Sequence, residues 1–212
     1  MGLLDHLTGE VSEQAIFRRS SAIIRHAIKA NSMLAETVKG DQKACGMAEA
    51  IAHEADRETF SIANSITEGG VAPNLIDDMM RFIDTENNIV DNLSTLSRAL
   101  CRYKIKERPA AEFVNKRLLS AQSLIDESLK LLLKMHEADT VSAVRRLRAR
   151  VKDNEKRDDQ IKEALLDFAY ESKVDYKTFY QITTVAYLSD DVMDGCEDAA
   201  DMILSIMLSI LT

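Results

Sequence analysis

The stretch from Thr183 to Leu211 carries two opposed stripes, and no other feature of the chain restricts its fold as much. Val185, Leu188, Val192, Cys196, Ala199, Ile203, Ile206 and Ile210 recur at three- and four-residue steps. Residues spaced in that way share one face of an α-helix. Asp190, Asp194, Glu197 and Asp201 follow the same steps about half a turn away. One helix therefore offers an apolar seam on one side and a column of carboxylates on the other. Like charges one turn apart cost ~0.2–0.5 kcal/mol per pair. A metal, a Lys or Arg, or solvent and salt must offset that repulsion. The apolar seam requires partner helices, and the acidic column raises the question of whether one of them faces it with a second acidic ladder.

The remainder of the chain reads as helix too. Glycine (7), proline (2) and aromatic residues (5%) are scarce in 212 residues, whereas sheets call for β-branched and aromatic side chains and frequent turns. Residues 1–10 form a short lead-in. Helices are predicted over about Ser12–Val38, Asp41–Glu68, Pro73–Tyr103, Pro109–Glu137, Thr140–Ser172 and Tyr176 to the end. Gly40 and Gly69-Gly70 act as stops, Asp41, Asp139 and Asp175 as N-caps, and Pro73 and Pro109 sit in first turns. Six long helices with short links imply antiparallel neighbours, hence an all-α bundle over residues 11–212.

The bundle contains a repeat. Asp56 and Asp91 stand 35 residues apart (91−56), as do Asp159 and Asp194 (194−159), and an offset of 103 superposes the two pairs. Under that offset Ile62 meets Leu165, Met79 meets Ile182, Phe82 meets Val185, Ile89 meets Val192 and Leu100 meets Ile203. The plan is two pseudo-symmetric three-helix units, about 11–104 and 108–212. Chance alignment of two amphipathic hairpins is the alternative, because helical period alone produces matches.

Charge and cysteine usage narrow the function. A net charge of −8 argues against a nucleic-acid binder and disfavours electrostatic docking on anionic lipid. No stretch is long and apolar enough to span a bilayer; Met202–Leu211 is too short. Cys45, Cys101 and Cys196 are far apart and odd in number, which disfavours a disulfide framework or a thiolate zinc site and suits a reducing cytoplasm. The first residues lack the basic flank and apolar run of a signal peptide, and His6 breaks the myristoylation pattern.

The chemistry concentrates in the second half. Glu155 and Asp159 form an acid pair one turn apart on the fifth helix, with Glu155 and Asp158 close to its apolar seam and Asp159 on the margin, and Asp190 and Asp194 repeat that spacing on the sixth. Two such helices can converge their oxygens on a hard cation such as Mg²⁺, Mn²⁺, Ca²⁺ or iron. A solvated acidic face is the other reading of the same residues. In the first half Asp56 and Asp91 stand at the equivalent places, with further oxygen from Asp84, Glu86 and Asn88. Glu49, His53 and Asp56 share a helix face as a possible mixed N/O site. No His has a Glu three residues before it, which removes the ferritin-like di-iron pattern, and there is no phosphate loop, HExxH or nucleophile elbow. The run Arg145-Arg146-Leu147-Arg148-Ala149-Arg150 reads as a solvated helix face or a docking patch for an acidic partner.

Four segments together resemble the PhoU-like family, in particular its Pit accessory branch. They are Ala48–Asp56, Ile83–Asp91, Glu155–Asp159 and Asp190–Asp201, and the likeness spans residue 10 to the C-terminus. The resemblance implies two three-helix bundles, a cytoplasmic location peripheral to the membrane, and a regulatory role beside an inorganic phosphate permease of the Pit type. It also implies metal clusters held by E/D-x-x-x-D motifs. Glu155 with Asp159, and Asp190 with Asp194, match that motif in full. Asp56 and Asp91 match without their partners, because Ala52 and Asn87 depart from it.

The reading at this stage is a non-catalytic regulator of phosphate transport. It binds a hard metal through Glu155, Asp159, Asp190 and Asp194, with Glu197, Asp201, Asp56 and Asp91 as further ligands, and self-association is left open. Its rivals are a metal-dependent all-helical nucleotide hydrolase and a metal-free helical adaptor.

Overall fold

The structure, a computed structural model, describes residues 13–211. The lead-in at 1–10 and the expected helix start at Ser12 lie outside them. Six helices follow in order: α1 (Glu13–Val38), α2 (Lys43–Ser65), α3 (Ile76–Arg102), α4 (Arg108–His136), α5 (Val141–Glu171) and α6 (Tyr176–Leu211). The described residues include no strand.

Most helix ends follow the predicted local chemistry. Gly40 adopts φ +102°, donates its N–H to Thr37 O (2.9 Å), and is followed by Asp41 N–H to Glu36 O (3.0 Å). These two bonds make the Schellman closure that only glycine adopts without strain. Asp175 Oδ1 accepts the Thr178 N–H at 2.7 Å and opens α6, and Pro109 sits in the first turn of α4. Three boundaries differ from the sequence reading. α5 is capped by Thr140, whose hydroxyl accepts from Ala143 N–H (3.3 Å), because Asp139 turns to Arg18 of α1 at 3.2 Å. The α-helical part of α2 stops at Ser65 and passes into one π-helical turn, Ile66–Gly70. α3 begins at Ile76 rather than Pro73, since Ala72–Leu75 closes as a separate turn (2.9 Å) tied to Glu13 of α1 through Ala72 N–H (2.8 Å).

The helices touch in a set that is the same for the two halves of the chain. α1 packs on α2, α3 and α4, and α6 packs on α5, α3 and α4, while α2 packs on α3 and α4 on α5. Exchanging α1 with α4, α2 with α5 and α3 with α6 leaves that set of neighbours unchanged. The burial pattern of residues 82–93 recurs residue for residue at 185–196, so α3 and α6 turn equivalent faces inward. They meet closely where a Cβ on Gly195 would stand 3.0 Å from Ile89 Cγ1.

Two core features were not anticipated. Cys45 of α2 and Cys101 of α3 are joined as a disulfide with Cα atoms 6.7 Å apart, which corrects the expectation of unpaired thiols and weakens the cysteine argument for a reducing compartment. Glu86 and His136 form a buried pair, Oε1 to Nε2 at 2.6 Å, against the Phe17 and Phe82 rings. Glu86 is therefore not a surface oxygen donor beside Asp91. The Phe17 carbonyl can only accept, so His136 Nδ1 (3.1 Å away) carries its proton, and Nε2 and Glu86 share a second proton. Burial raises the Glu86 carboxyl, with His136 opposing the shift.

Candidate functional site

α5 and α6 lie side by side, and their acidic faces meet. Most of the column on α6 is matched by cations one helix away on α5. Arg148 forks onto Asp201, with Nη2 to Oδ2 at 2.9 Å, and Lys152 Nζ stands 2.7 Å from Glu197. Lys162 Nζ bridges the two helices, 2.7 Å from Asp159 Oδ1 and 2.8 Å from the Asp190 carboxylate. These contacts hold Asp159 and Asp201 below the usual carboxylate range, through Lys162 and Arg148 respectively. Half of the basic run of α5 is thus used within the fold: Arg148 holds Asp201 and Arg150 reaches Glu127 of α4 at 2.9 Å, while Arg146 bonds only Ser142 among the described residues.

Of the acids along this seam, Glu155, Asp158 and Asp194 have no cation within ion-pair distance among the described residues, although the Lys162 charge acts on Asp158 and Asp194 from further off. Asp158 is 2% exposed and its Oδ1 has no hydrogen-bond partner. Burial, then Asp190, push its carboxyl up to about 7. Burial, then Asp190, raise Asp194 to about 6. Glu155 is raised by burial and then by Asp159, Glu197 and Asp194. Negative charge therefore exceeds positive charge at one place along the α5–α6 seam, around Asp158. Around it stand Asn154 (3% exposed), whose amide donates to Ser128 Oγ of α4 (3.2 Å), and Cys196, whose thiol burial pushes upward.

The equivalent place in the first unit is wired differently. Asn87 Nδ2 donates to Asp56 Oδ1 (2.9 Å), and Thr59 Oγ1 donates to Asn87 Oδ1 (3.2 Å). By the offset, Thr59, Asn87 and Asp56 stand where Lys162, Asp190 and Asp159 stand in the second unit. One half closes the contact with an amide and a hydroxyl as donors and the other with an ion pair. Ala55 occupies the position of Asp158, so the first unit has no buried acid there. Burial and then Asp56 raise Asp91, with Arg98 and His53 opposing. His53 lies 3.7 Å from Asp56, but Glu49 turns to Arg98 at 3.9 Å, so the mixed set on α2 does not converge.

The eight predicted site residues therefore divide into two groups. Glu155, Asp159, Asp190, Asp194, Glu197 and Asp201 lie along one interhelical seam, while Asp56 and Asp91 belong to the other unit, where the Asp56 charge helps to raise Asp91. Asp158 is the residue that the motif reading undervalued. Its signal was its place near the apolar seam rather than the motif spacing. The donor set fits a hard cation: it is all oxygen, it carries excess negative charge, and it contains one buried oxygen without a partner. Among the described residues no three His, Cys, Asp or Glu side chains already stand in a metal cage. An ion held here would draw Glu155, Asp158 and Asp194 together. No helix among the described residues is long and apolar enough to cross a membrane.

The sequence matches no family model, and no curated protein sequence matches it.

Proposed function

We propose that the protein is a non-catalytic regulator of inorganic phosphate transport that binds a hard divalent or trivalent cation at the α5–α6 seam. The observation that carries the cation is the uncompensated charge of Glu155, Asp158 and Asp194, with the partnerless oxygen of Asp158 at its centre. An ion there relieves the repulsion that Lys162, Lys152 and Arg148 leave unbalanced. Transport rests on the PhoU-like resemblance of the four acidic segments, and the partner is a Pit-type phosphate permease met from the cytoplasmic side. A metal-free adaptor is the second reading, favoured by the same three cations, which already neutralise most of the column.

Elemental analysis of purified wild-type protein and Glu155→Ala/Asp194→Ala separates the two readings. Metal in the first and not in the second supports the cation site. Equal content, or none in either, leaves the adaptor. Deletion of the gene should change phosphate uptake across low and high phosphate, and unchanged uptake would refute the transport role.

A further inference from the structure

The net charge of −8 conceals a polarity along the bundle. The connections α1–α2, α3–α4 and α5–α6 gather at one end, where Thr178 Oγ1 donates to Glu107 Oε2 at 2.9 Å across two of them. Residues 39–43, 102–108 and 171–177 hold eight Lys or Arg against four Asp or Glu, and since Glu36 and Glu112 beside them pair with Lys39 and Arg108, the local excess is +2. The opposite end lacks this excess: the connections at residues 66–75 and 137–140 hold Glu68, Glu137 and Asp139 and no Lys or Arg, and Arg18, Arg145 and Arg146 on the adjoining helix turns bring it near neutrality. Lys104, Lys106, Lys173 and Lys177 are exposed, and among the described residues none has a carboxylate within ion-pair distance.

Exposed aromatic rings gather at the same end. Tyr170, Tyr176 and Tyr180 are 74%, 83% and 53% exposed. Tyr170 stands edge-on to Phe179 (5.1 Å) and Tyr180 to Tyr103 (6.3 Å), so the rings form a supported rim rather than isolated side chains. Tyrosine beside lysine suits the zone between water and lipid. The ring enters the headgroup layer while its hydroxyl stays wet, and the lysine stem lies along apolar surface with its ammonium toward lipid phosphate. Six of the eight cations are lysines. Lysine is a flexible point charge suited to a diffuse field of headgroups, whereas arginine forks would mark an acidic peptide with fixed carboxylates.

From this we infer that the three-connection end of the bundle docks on the surface of an anionic phospholipid bilayer, with Lys104, Lys106, Lys173 and Lys177 against the headgroups and Tyr170, Tyr176 and Tyr180 at the interface. For one end of the molecule this runs against the expectation drawn from net charge alone. It does not depend on the cation site or on phosphate transport.

Sedimentation with sucrose-loaded vesicles tests it. The full chain should sediment with phosphatidylcholine vesicles containing phosphatidylglycerol, stay in solution with phosphatidylcholine alone, and be released as salt rises. Lys104→Glu/Lys106→Glu/Lys173→Glu should lower partitioning by about tenfold or more. Tyr170→Ser/Tyr176→Ser should lower it with less effect on its salt dependence. Arg145→Glu/Arg146→Glu at the far end should leave it unchanged, and circular dichroism confirms that each variant is folded. No binding to the anionic vesicles overturns the inference. So does equal binding to neutral ones, full binding by the folded triple variant, or binding to soluble polyglutamate with none to vesicles.

Discussion

Replacing Asp158 by Asn should stabilise the protein at neutral and alkaline pH, against the usual direction of a core substitution. Asp158 is 2% exposed, and its carboxyl stands at about 7 against an ordinary value of 3.8. Below pH 3.8 both the folded and the unfolded chain hold the proton, and the residue contributes nothing to the pH dependence. As pH rises from 3.8 to about 7 the unfolded chain releases the proton and the folded chain keeps it, so stability falls. Above about 7 both are ionised and the penalty is constant. At 1.36 kcal/mol per pH unit the ionised residue costs the fold about 4 kcal/mol at pH 8, or roughly 2–4 kcal/mol after local relaxation. Asparagine keeps the shape, removes the charge, and offers an N–H to the neighbouring carboxylates. Urea unfolding in chelator at pH 5 and at pH 8 gives the result. Asp158→Asn should gain about 2–4 kcal/mol over wild type at pH 8 and about 1–1.5 kcal/mol at pH 5, where the penalty has only begun to build. A variant less stable than wild type at pH 8 would refute the claim that Asp158 is an uncompensated buried acid.

Three further outcomes follow from the same structure. Lys162→Met removes the bridge between Asp159 and Asp190. It should cost about 1–3 kcal/mol in chelator and tighten Mn²⁺ binding, because a competing cation is gone; an unchanged affinity in a Mn²⁺ titration would remove Lys162 as a competitor. Glu86→Ala strands His136 in the core and opens a void, so it should cost about 3–5 kcal/mol in urea unfolding; a loss under about 1 kcal/mol would show that the pair is not holding α3 against α4. Thiol titration of unreduced protein in denaturant should find one reactive thiol, Cys196, since the other two are bonded across a separation of 56 residues; three thiols would refute the bridge.

The fold was legible because helix has a strong period. The seams of α3 and α6 could be read directly, and the 103-residue offset already paired Phe82 with Val185 and Ile89 with Val192, which occupy matching buried positions. Caps were harder. Asp139 and Thr140 are both good N-cap residues, and the choice fell to Thr140 because Arg18, 121 positions away, draws Asp139 outward. The site was legible as a seam but not as a charge balance. The sequence shows which acids lie on one face, but not that Arg148, Lys152 and Lys162 reach across to them, since their reach depends on how α5 and α6 are set side by side. Asp158 and Asp159 are adjacent acids, and the seam of α5 already placed Asp158 inward and Asp159 on the margin; the motif spacing drew attention to the wrong one. The partners Cys45–Cys101 and Glu86–His136 lie 56 and 50 positions apart, and no local pattern links them.

Calorimetric titration of the chelator-treated chain with Mn²⁺ bears most directly on the claim that the α5–α6 carboxylates form a cation site. Wild type should bind saturably and Glu155→Ala/Asp194→Ala should give no heat beyond dilution. Equal binding by both chains, or none by wild type, would contradict it.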